Sequence, residues 1–320
     1  MIDYYIAFWN VENLFDIEDS PRRLKKLERV LANELIGWTS DILDRKTSQL
    51  ASIILQMNQG SGPDILGVCE VENEHVLDLF VSALSPLNRN YKVAHEDTRD
   101  NRGIDVAFIY DDDLFTAEDQ FSHFIVKRLA TRDLFQVNFR TNSGRLLVVV
   151  GNHWPSRMGG EYESEPFRII AGETLAYFHQ RIREEQNDNS VAVLAMGDFN
   201  DEPFNRSLVE HALSEQTRAK VTRARSPRFL NLMWPILGQR LGTHYYENRP
   251  NVLDQFLVSK GLLTGNSKIR VINNSVEVAR FSEMVSSGTY PAPIRYGRKS
   301  DINRDGFSDH YPIAVRLREN

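Results

Sequence analysis

The chain has 320 residues, 41% apolar and 26% charged, with 18 Gly and 12 Pro, a composition that excludes a low-complexity or disordered protein. Its formal charge is −6 and it carries a single Cys. A uniformly basic nucleic-acid coat, an intramolecular disulfide and a Cys-rich zinc site are therefore excluded.

Asp3, Asn10, Glu12 and Asn13 interrupt the N-terminus before a secretory apolar core of roughly 7–15 residues can form. No run reaches the ~18 apolar residues of a membrane span, so a cytoplasmic protein without a transmembrane segment is expected. Residues 4–8, aromatic and apolar, predict a first strand. Over 21–35, Leu24, Leu27, Val30, Leu31 and Leu35 recur at helical spacing, with Ser20 as the expected N-cap and Pro21 at the first position. A second helix is expected through Leu50, Ile53, Ile54 and Met57, ended by the Gly- and Pro-rich residues 60–63. A buried strand over 64–68 and a helix over 74–84 follow.

Strands are then expected at 91–94, 105–110, 121–126, 134–139 and 146–151. The last holds five consecutive apolar residues, Leu146 to Val150, as a strand covered on both faces would. A long helix over 165–185 precedes another continuous apolar strand at 191–196. Further strands are expected at 252–258, 269–272 and 311–317, whereas 217–251 carries the least pattern and predicts a long surface loop. Strands in groups, with helices interposed in each half and no linker-like stretch, suggest two packed sheets flanked by helices in one domain, 1–320.

Five short segments put carboxylate, amide or imidazole groups at strand ends, where a rigid sheet can hold them in place. They run from Phe8 to Asn13, from Gly67 to Asn73, from Gly151 to Ser156, from Gly197 to Asp201 and from Ser308 to Pro312. Singly, each reads equally well as turn chemistry; together they form an inventory for one task. Their oxygens suit Mg²⁺, Mn²⁺ or Ca²⁺, and two His residues could manage protons around an in-line attack on phosphorus. Glu70 and Glu72, two apart on a strand, face the same side and compete for the metal position.

In this order the motifs resemble those of the endonuclease/exonuclease/phosphatase superfamily, the deoxyribonuclease I-like fold. The resemblance rests on Asn10 in WNVENLF, Glu70 in GVCEVEN, Asp198 and Asn200 in GDFN, Asp254 in VLDQFLVS, and Asp309 and His310 in SDH. It implies a four-layer α/β sandwich of two packed mixed β-sheets flanked by helices, and divalent-metal-dependent hydrolysis of phosphoric esters. Glu70 would bind Mg²⁺, with Asn10 and Asp309 as direct or water-mediated ligands. Asp198 would orient or deprotonate the attacking water, Asn200 would hold a phosphoryl oxygen, and Asp254 would orient His310. Register within the family favours Glu70 over Glu72. Cys69 stands where Gln is common, and Gln255 where many members have Tyr or Arg.

His153, in NHWPSR, is similar to the His of the deoxyribonuclease, sphingomyelinase and inositol-phosphatase branches, and the segment most resembles bacterial extracellular-type nucleases. It is then a candidate general acid or phosphate clamp. Arg218, Lys220, Arg223, Arg225, Arg228 and Arg240 cluster without an acid among them, with Phe229 and Trp234 interleaved. Such a loop could track a nucleic-acid backbone and stack a base, or simply be solvated. Arg102, Arg157 and Arg168 are single candidates for phosphate contact, each with an equally good salt-bridge reading.

The expected activity is a nuclease acting on DNA or RNA. The alternative is a phosphoesterase of the same fold acting on a lipid or inositol headgroup or a small nucleotide. In that case Met233–Leu237 would be the short apolar element meeting a membrane. A catalytically inactive binding module is disfavoured, because every motif position holds a competent residue type.

Overall fold

The computed structural model describes residues 1–98, 102–126 and 131–320. In the first strand, β1 (Ile2–Leu14), Tyr4, Ile6 and Phe8 point to one face while Tyr5, Ala7 and Trp9 point to the other, and all six are buried. A strand with apolar side chains on both faces needs a layer on each side, and the rest of the chain supplies them. In order follow β2 (Ile65–Val71), β3 (Tyr91–His95), β4 (Asp105–Asp111), β5 (Phe115–His123), β6 (Leu134–Thr141), β7 (Leu146–His153) and β8 (Ala192–Asp198). Then come β9 (Ser214–Glu215), β10 (Phe229–Asn231), β11 (His244–Tyr246), β12 (Arg249–Asn251), β13 (Asp254–Val258), β14 (Ile269–Val271), β15 (Glu277–Val278) and β16 (Ile313–Glu319).

The first sheet runs β14-β16-β1-β2-β4-β3, with β15 also on β16; the second runs β5-β6-β7-β8-β13-β10-β9. Both are mixed: β1 pairs with β2 in parallel and with β16 antiparallel, and β7 pairs with β8 in parallel. Ile6, Phe8, Phe108, Phe135, Val149, Met196 and Phe256 fill the space between the sheets. The helices Ser40–Ile54 and Glu74–Ala83 cover the outer face of the first sheet through Leu50, Ile53, Leu77 and Phe80. The 25-residue helix Glu161–Glu185 covers the second through Leu175 and Ile182. This is the expected α/β sandwich of two mixed sheets with flanking helices. Burying each of these large apolar side chains contributes about 1.5–3 kcal/mol.

Local readings differ from the sequence expectation in three places. The expected helix over 21–35 shortens to Lys25–Leu31, with Leu24 and not Ser20 at the N-cap position, and Val30 is exposed. Ser20 instead donates to Asp16 Oδ2 at 2.6 Å. The strand expected at 121–126 begins earlier, at Phe115, and ends at His123, leaving Val126 exposed. The expected loop over 217–251 contains the helix Arg218–Arg223, β10, a 3₁₀ turn over Trp234–Ile236 and the β11–β12 hairpin. Met233 and Ile236 are buried in the inter-sheet core and Leu237 packs against it. That segment therefore offers no apolar hairpin to a membrane. Among the described residues no helix is long and apolar enough to cross a membrane.

Candidate active site

Strand register assembles the site. In the parallel β7–β8 pair His153 lies opposite Asp198, and in the antiparallel β8–β13 pair Asp198 lies opposite Asp254. Gly197 permits this close approach, since a Cβ there would sit 2.1 Å from the Asn152 carbonyl oxygen. On the first sheet Asn10 pairs with Cys69, and the ladder then breaks at Glu70, whose φ is +66°. A left-handed conformation is uncommon for a side chain of this kind and marks an imposed bend. Here it carries the carboxylate off the sheet. Glu70 Oε2 accepts from Asn13 N at 3.0 Å, and Oε1 lies 3.6 Å from His153 Nε2.

Asn10 joins the sheets: its Nδ2 donates to Asp198 Oδ2 at 3.1 Å while its Oδ1 accepts from Glu12 N at 3.0 Å. Ser308 Oγ donates to the Asn10 carbonyl at 2.6 Å and accepts from His310 N at 3.1 Å, tying the loop before β16 to β1. Asp198 Oδ2 then sits between two imidazoles, 3.8 Å from His153 Nε2 and 3.9 Å from His310 Nε2. Burial pushes the Asp198 carboxyl up to about 6; His310 opposes that rise and Asp254 adds to it.

The two imidazoles differ. Burial disfavours charge on His310, but the hydrogen-bonded Asp254 carboxylate at 2.7 Å, with Asp198 and Asp309, outweighs it and holds the ring well above its ordinary value. His153 is driven well below it, first by burial and then by the charges of Arg132, Arg102 and His310. Its Nδ1 is buried without a hydrogen-bond partner among the described residues.

Asp309 faces the same space with its side chain 36% exposed. Burial raises its carboxyl and Glu70 adds to the rise, against His310, Arg295 and Lys46. Hard oxygen donors gathered with excess negative charge fit a divalent cation such as Mg²⁺ or Mn²⁺, with Glu70 and Asp309 as the residues to hold it.

Glu72, the rival, is consumed elsewhere. It is buried, pairs with Arg23 through Nε–Oε1 at 2.7 Å and Nη2–Oε2 at 3.0 Å, and accepts from Asp16 N. Glu12 likewise braces the Arg295–Gly297 loop through Arg295 Nε and the Tyr296 and Gly297 amides.

A match to the model of the endonuclease/exonuclease/phosphatase family extends over residues 5–319. The chain belongs to that family. Among solved structures it is similar to the human nocturnin catalytic domain with bound sulfate, at 16% identity and TM-score 0.56, covering 99% of this chain and 95% of that one. Truncated TDP2 from Caenorhabditis elegans follows at 14% and 0.54, covering 99% and 97%. A mannosyl-6-phosphatase from Bacteroides thetaiotaomicron gives 16% and 0.57, covering 98% and 99%. At such identities these show a shared fold. No curated protein sequence matches the chain.

Not every residue singled out in this family member reaches the centre as expected. Asn200 gives its Nδ2 to the Trp154 carbonyl at 3.0 Å and to Asp198 Oδ2 at 3.2 Å. It holds Asp198 and does not present a free amide to a phosphoryl oxygen. Arg168 is fully buried, with Nε 2.8 Å from Asp201 Oδ1 and further bonds to Ser164 Oγ and the Glu161 carbonyl. It cannot touch substrate without unfolding its surroundings. Arg157 binds the Asn200 carbonyl at 2.8 Å and retains partial exposure beside the site. Arg102 lies close enough for its charge to act on His153.

The basic cluster is displaced. β10 pairs Leu230 with Val258, the end of β13 away from Asp254. Four residues at ~3.3 Å per residue put that end roughly 13 Å from the site. Arg228 precedes it and pairs with Glu215 at 2.7 Å, as does Lys220 at 3.1 Å. The helix bearing Arg223 packs on the helix Lys260–Thr264, which follows β13, so Arg223 and Arg225 belong to this far end. Trp234 lies past the other end of β10, half-buried, separated from the arginines it was expected to accompany.

Two neighbours of the site went unread in the sequence. Lys46, on the helix Ser40–Ile54, is fully buried, its Nζ 4.6 Å from the centre of the Tyr296 ring. Burial brings it down to about 8 against the pull of Glu12, Asp309 and Glu70. Its place on the inward face of an amphipathic helix was the available signal. His244, on β11, bridges to His310 with ring centres 4.8 Å apart. Burial, with His310 next, brings it down to about 3. No strand-end grammar marked it.

Proposed function

We propose that the chain is a divalent-metal-dependent phosphodiesterase that hydrolyses nucleic-acid strands, DNA before RNA. The observation that carries this reading is the placing of His153 and His310 on opposite sides of Asp198, each within 4 Å of its Oδ2. A phosphate seated there meets an imidazole on each flank, and a water held by Asp198 lies in reach for in-line attack. Asp254 keeps the His310 ring in one orientation, so its Nε2 faces the reacting centre. Asn10 and Asn200 fix the Asp198 carboxylate from two directions. A cation bound by Glu70 and Asp309 would polarise the phosphoryl oxygen and neutralise developing charge.

The likeness of NHWPSR to bacterial extracellular-type nucleases supports a polynucleotide substrate. The distance of the basic cluster from the site favours a second reading, a small phosphoric ester with no strand to track. The second reading has a neighbour in the mannosyl-6-phosphatase, whose name states a sugar phosphate. A panel of plasmid DNA, single-stranded DNA, RNA, sugar phosphates and phosphoinositides with Mg²⁺ and Mn²⁺ separates them. Turnover of sugar phosphates or headgroups with none of nucleic acid would overturn the nuclease reading.

A further inference from the structure

We propose a second divalent-cation site, outside the catalytic constellation, formed by His95, Asp97 and Asp105. The three residues each bring one ligand-type atom to within 4.8 Å of the others. They sit on the far strands of the first sheet: His95 ends β3 and Asp105 opens β4, while Asp97 lies two residues beyond β3. None belongs to the strands that carry Asn10, His153, Asp198 or Asp254.

The decisive observation is His95. Its side chain is 94% buried, being 6% exposed, yet among the described residues its Nε2 has no hydrogen-bond partner. That nitrogen lies 3.8 Å from Asp105 Oδ2, too far for a hydrogen bond. A buried, unpartnered ring nitrogen costs about 1–3 kcal/mol, which a metal bond would remove.

Asp105 is held in place for the role. Its Oδ1 accepts from Thr98 Oγ1 and, at 3.3 Å, from Thr98 N, which leaves Oδ2 turned toward His95. Asp97 is exposed and supplies the third donor. A cleft of about 380 Å³, lined by Glu96, Asp97, Thr98, Ser122, Phe124 and Asp133, opens beside Asp97. One neutral imidazole with two carboxylates carries charge −2, which a divalent ion neutralises. This mixed nitrogen–oxygen set suits a first-row ion such as Mn²⁺ or Zn²⁺ better than Ca²⁺, which prefers oxygen alone. Metal–donor bonds of ~2.0–2.2 Å need donors within about 4.4 Å of one another, a gap that rotation of Asp97 closes.

The site rests on none of the catalytic assignments, so its test is made without catalysis. Mn²⁺ binding to the whole chain is measured by electron paramagnetic resonance of the free ion, with Zn²⁺ competition. The wild type is expected to hold two ions and Glu70→Gln one. Adding His95→Gln or Asp97→Asn to Glu70→Gln should weaken the remaining ion by on the order of tenfold or more. Asp97 is exposed, so its variant leaves folding untouched, and circular dichroism checks the His95 variant. Unchanged Mn²⁺ affinity in both double variants, or one ion in the wild type that Glu70→Gln alone abolishes, overturns the proposal.

Discussion

Asp198 and Asp254 face each other as a register pair of β8 and β13, and His310 hydrogen-bonds only the second of them. One carboxylate orients the ring through Nδ1 at 2.7 Å, and the other waits 3.9 Å from Nε2. The sheet thus spaces the two carboxylates so that one imidazole spans them. His310→Ala and Asp254→Ala should each lower kcat by ~10²-fold or more. The double variant should lose far less than the product of the two, because the pair acts as a unit. Steady-state kinetics on folded variants decide it; a multiplicative double loss contradicts the pairing.

Removal of metal tests the donor cluster of Glu70 and Asp309. Activity should vanish in EDTA and return with Mg²⁺ or Mn²⁺. Glu70→Gln should lower metal-supported turnover severely, since it removes a charged oxygen beside Asp309. Full turnover after exhaustive chelation would show that no cation is needed.

The basic cluster at the far end of the second sheet should not contribute to substrate binding. Replacing Arg223, Arg225 and Arg228 with Ala is expected to leave the salt dependence of DNA binding unchanged. Backbone-contacting residues would instead flatten the slope by about 0.9 per contact. Loss of the partly exposed Arg228–Glu215 pair should cost stability about 1 kcal/mol. A slope reduced by two units or more would place this face on the nucleic acid after all.

Arg23 and Glu72 form a buried pair, 2% and 1% exposed. Arg23→Met strands the buried carboxylate with no counter-charge and should destabilise the fold by about 3–5 kcal/mol. Arg23→Met with Glu72→Leu should recover part of that, since no buried charge remains. Urea unfolding reads both. Equal losses in the single and double variants would remove charge burial as the cause.

His179 gives a pH-dependent prediction away from the site. It stacks on Phe229 with ring centres 3.9 Å apart, and burial, with Arg183 next, pushes it down to about 3. The folded ring stays neutral while the unfolded one binds a proton near 6.5. Stability is therefore unaffected above pH 6.5 and falls as pH drops below it, by up to about 1.4 kcal/mol per unit. Between pH 7 and 5 the wild type should lose about 2 kcal/mol more than His179→Phe. Equal losses by denaturant titration would show that His179 ionises freely in the fold.

The parts of this molecule legible in its sequence were those governed by local rules. Continuous apolar runs such as 191–196 announced strands covered on both faces, and polar residues just after them announced the site edge. Long-range facts were not legible. Nothing near Arg223 signals that β10 runs antiparallel to β13 and carries the cluster away from Asp254. Nothing near Arg168 or Glu72 signals a partner 33 or 49 residues distant. Residues 21–35 misled because Leu27, Leu31 and Leu35 pack on Trp38, Ile104 and Tyr296 without needing a long helix. His244 escaped because its role comes from a hairpin folded over His310, a neighbour 66 residues on.

The pairing of β1 with β16 has a consequence for biosynthesis. Ile2 lies opposite Glu319, so β1 takes its antiparallel partner from a strand synthesised much later. Asp309 and His310 enter just ahead of that strand. A nascent chain that has not yet reached Asp309 lacks one wall of the candidate site, however much of its second sheet has formed. The order of synthesis thus makes residues 309 and 310 the last of the candidate site's residues to arrive.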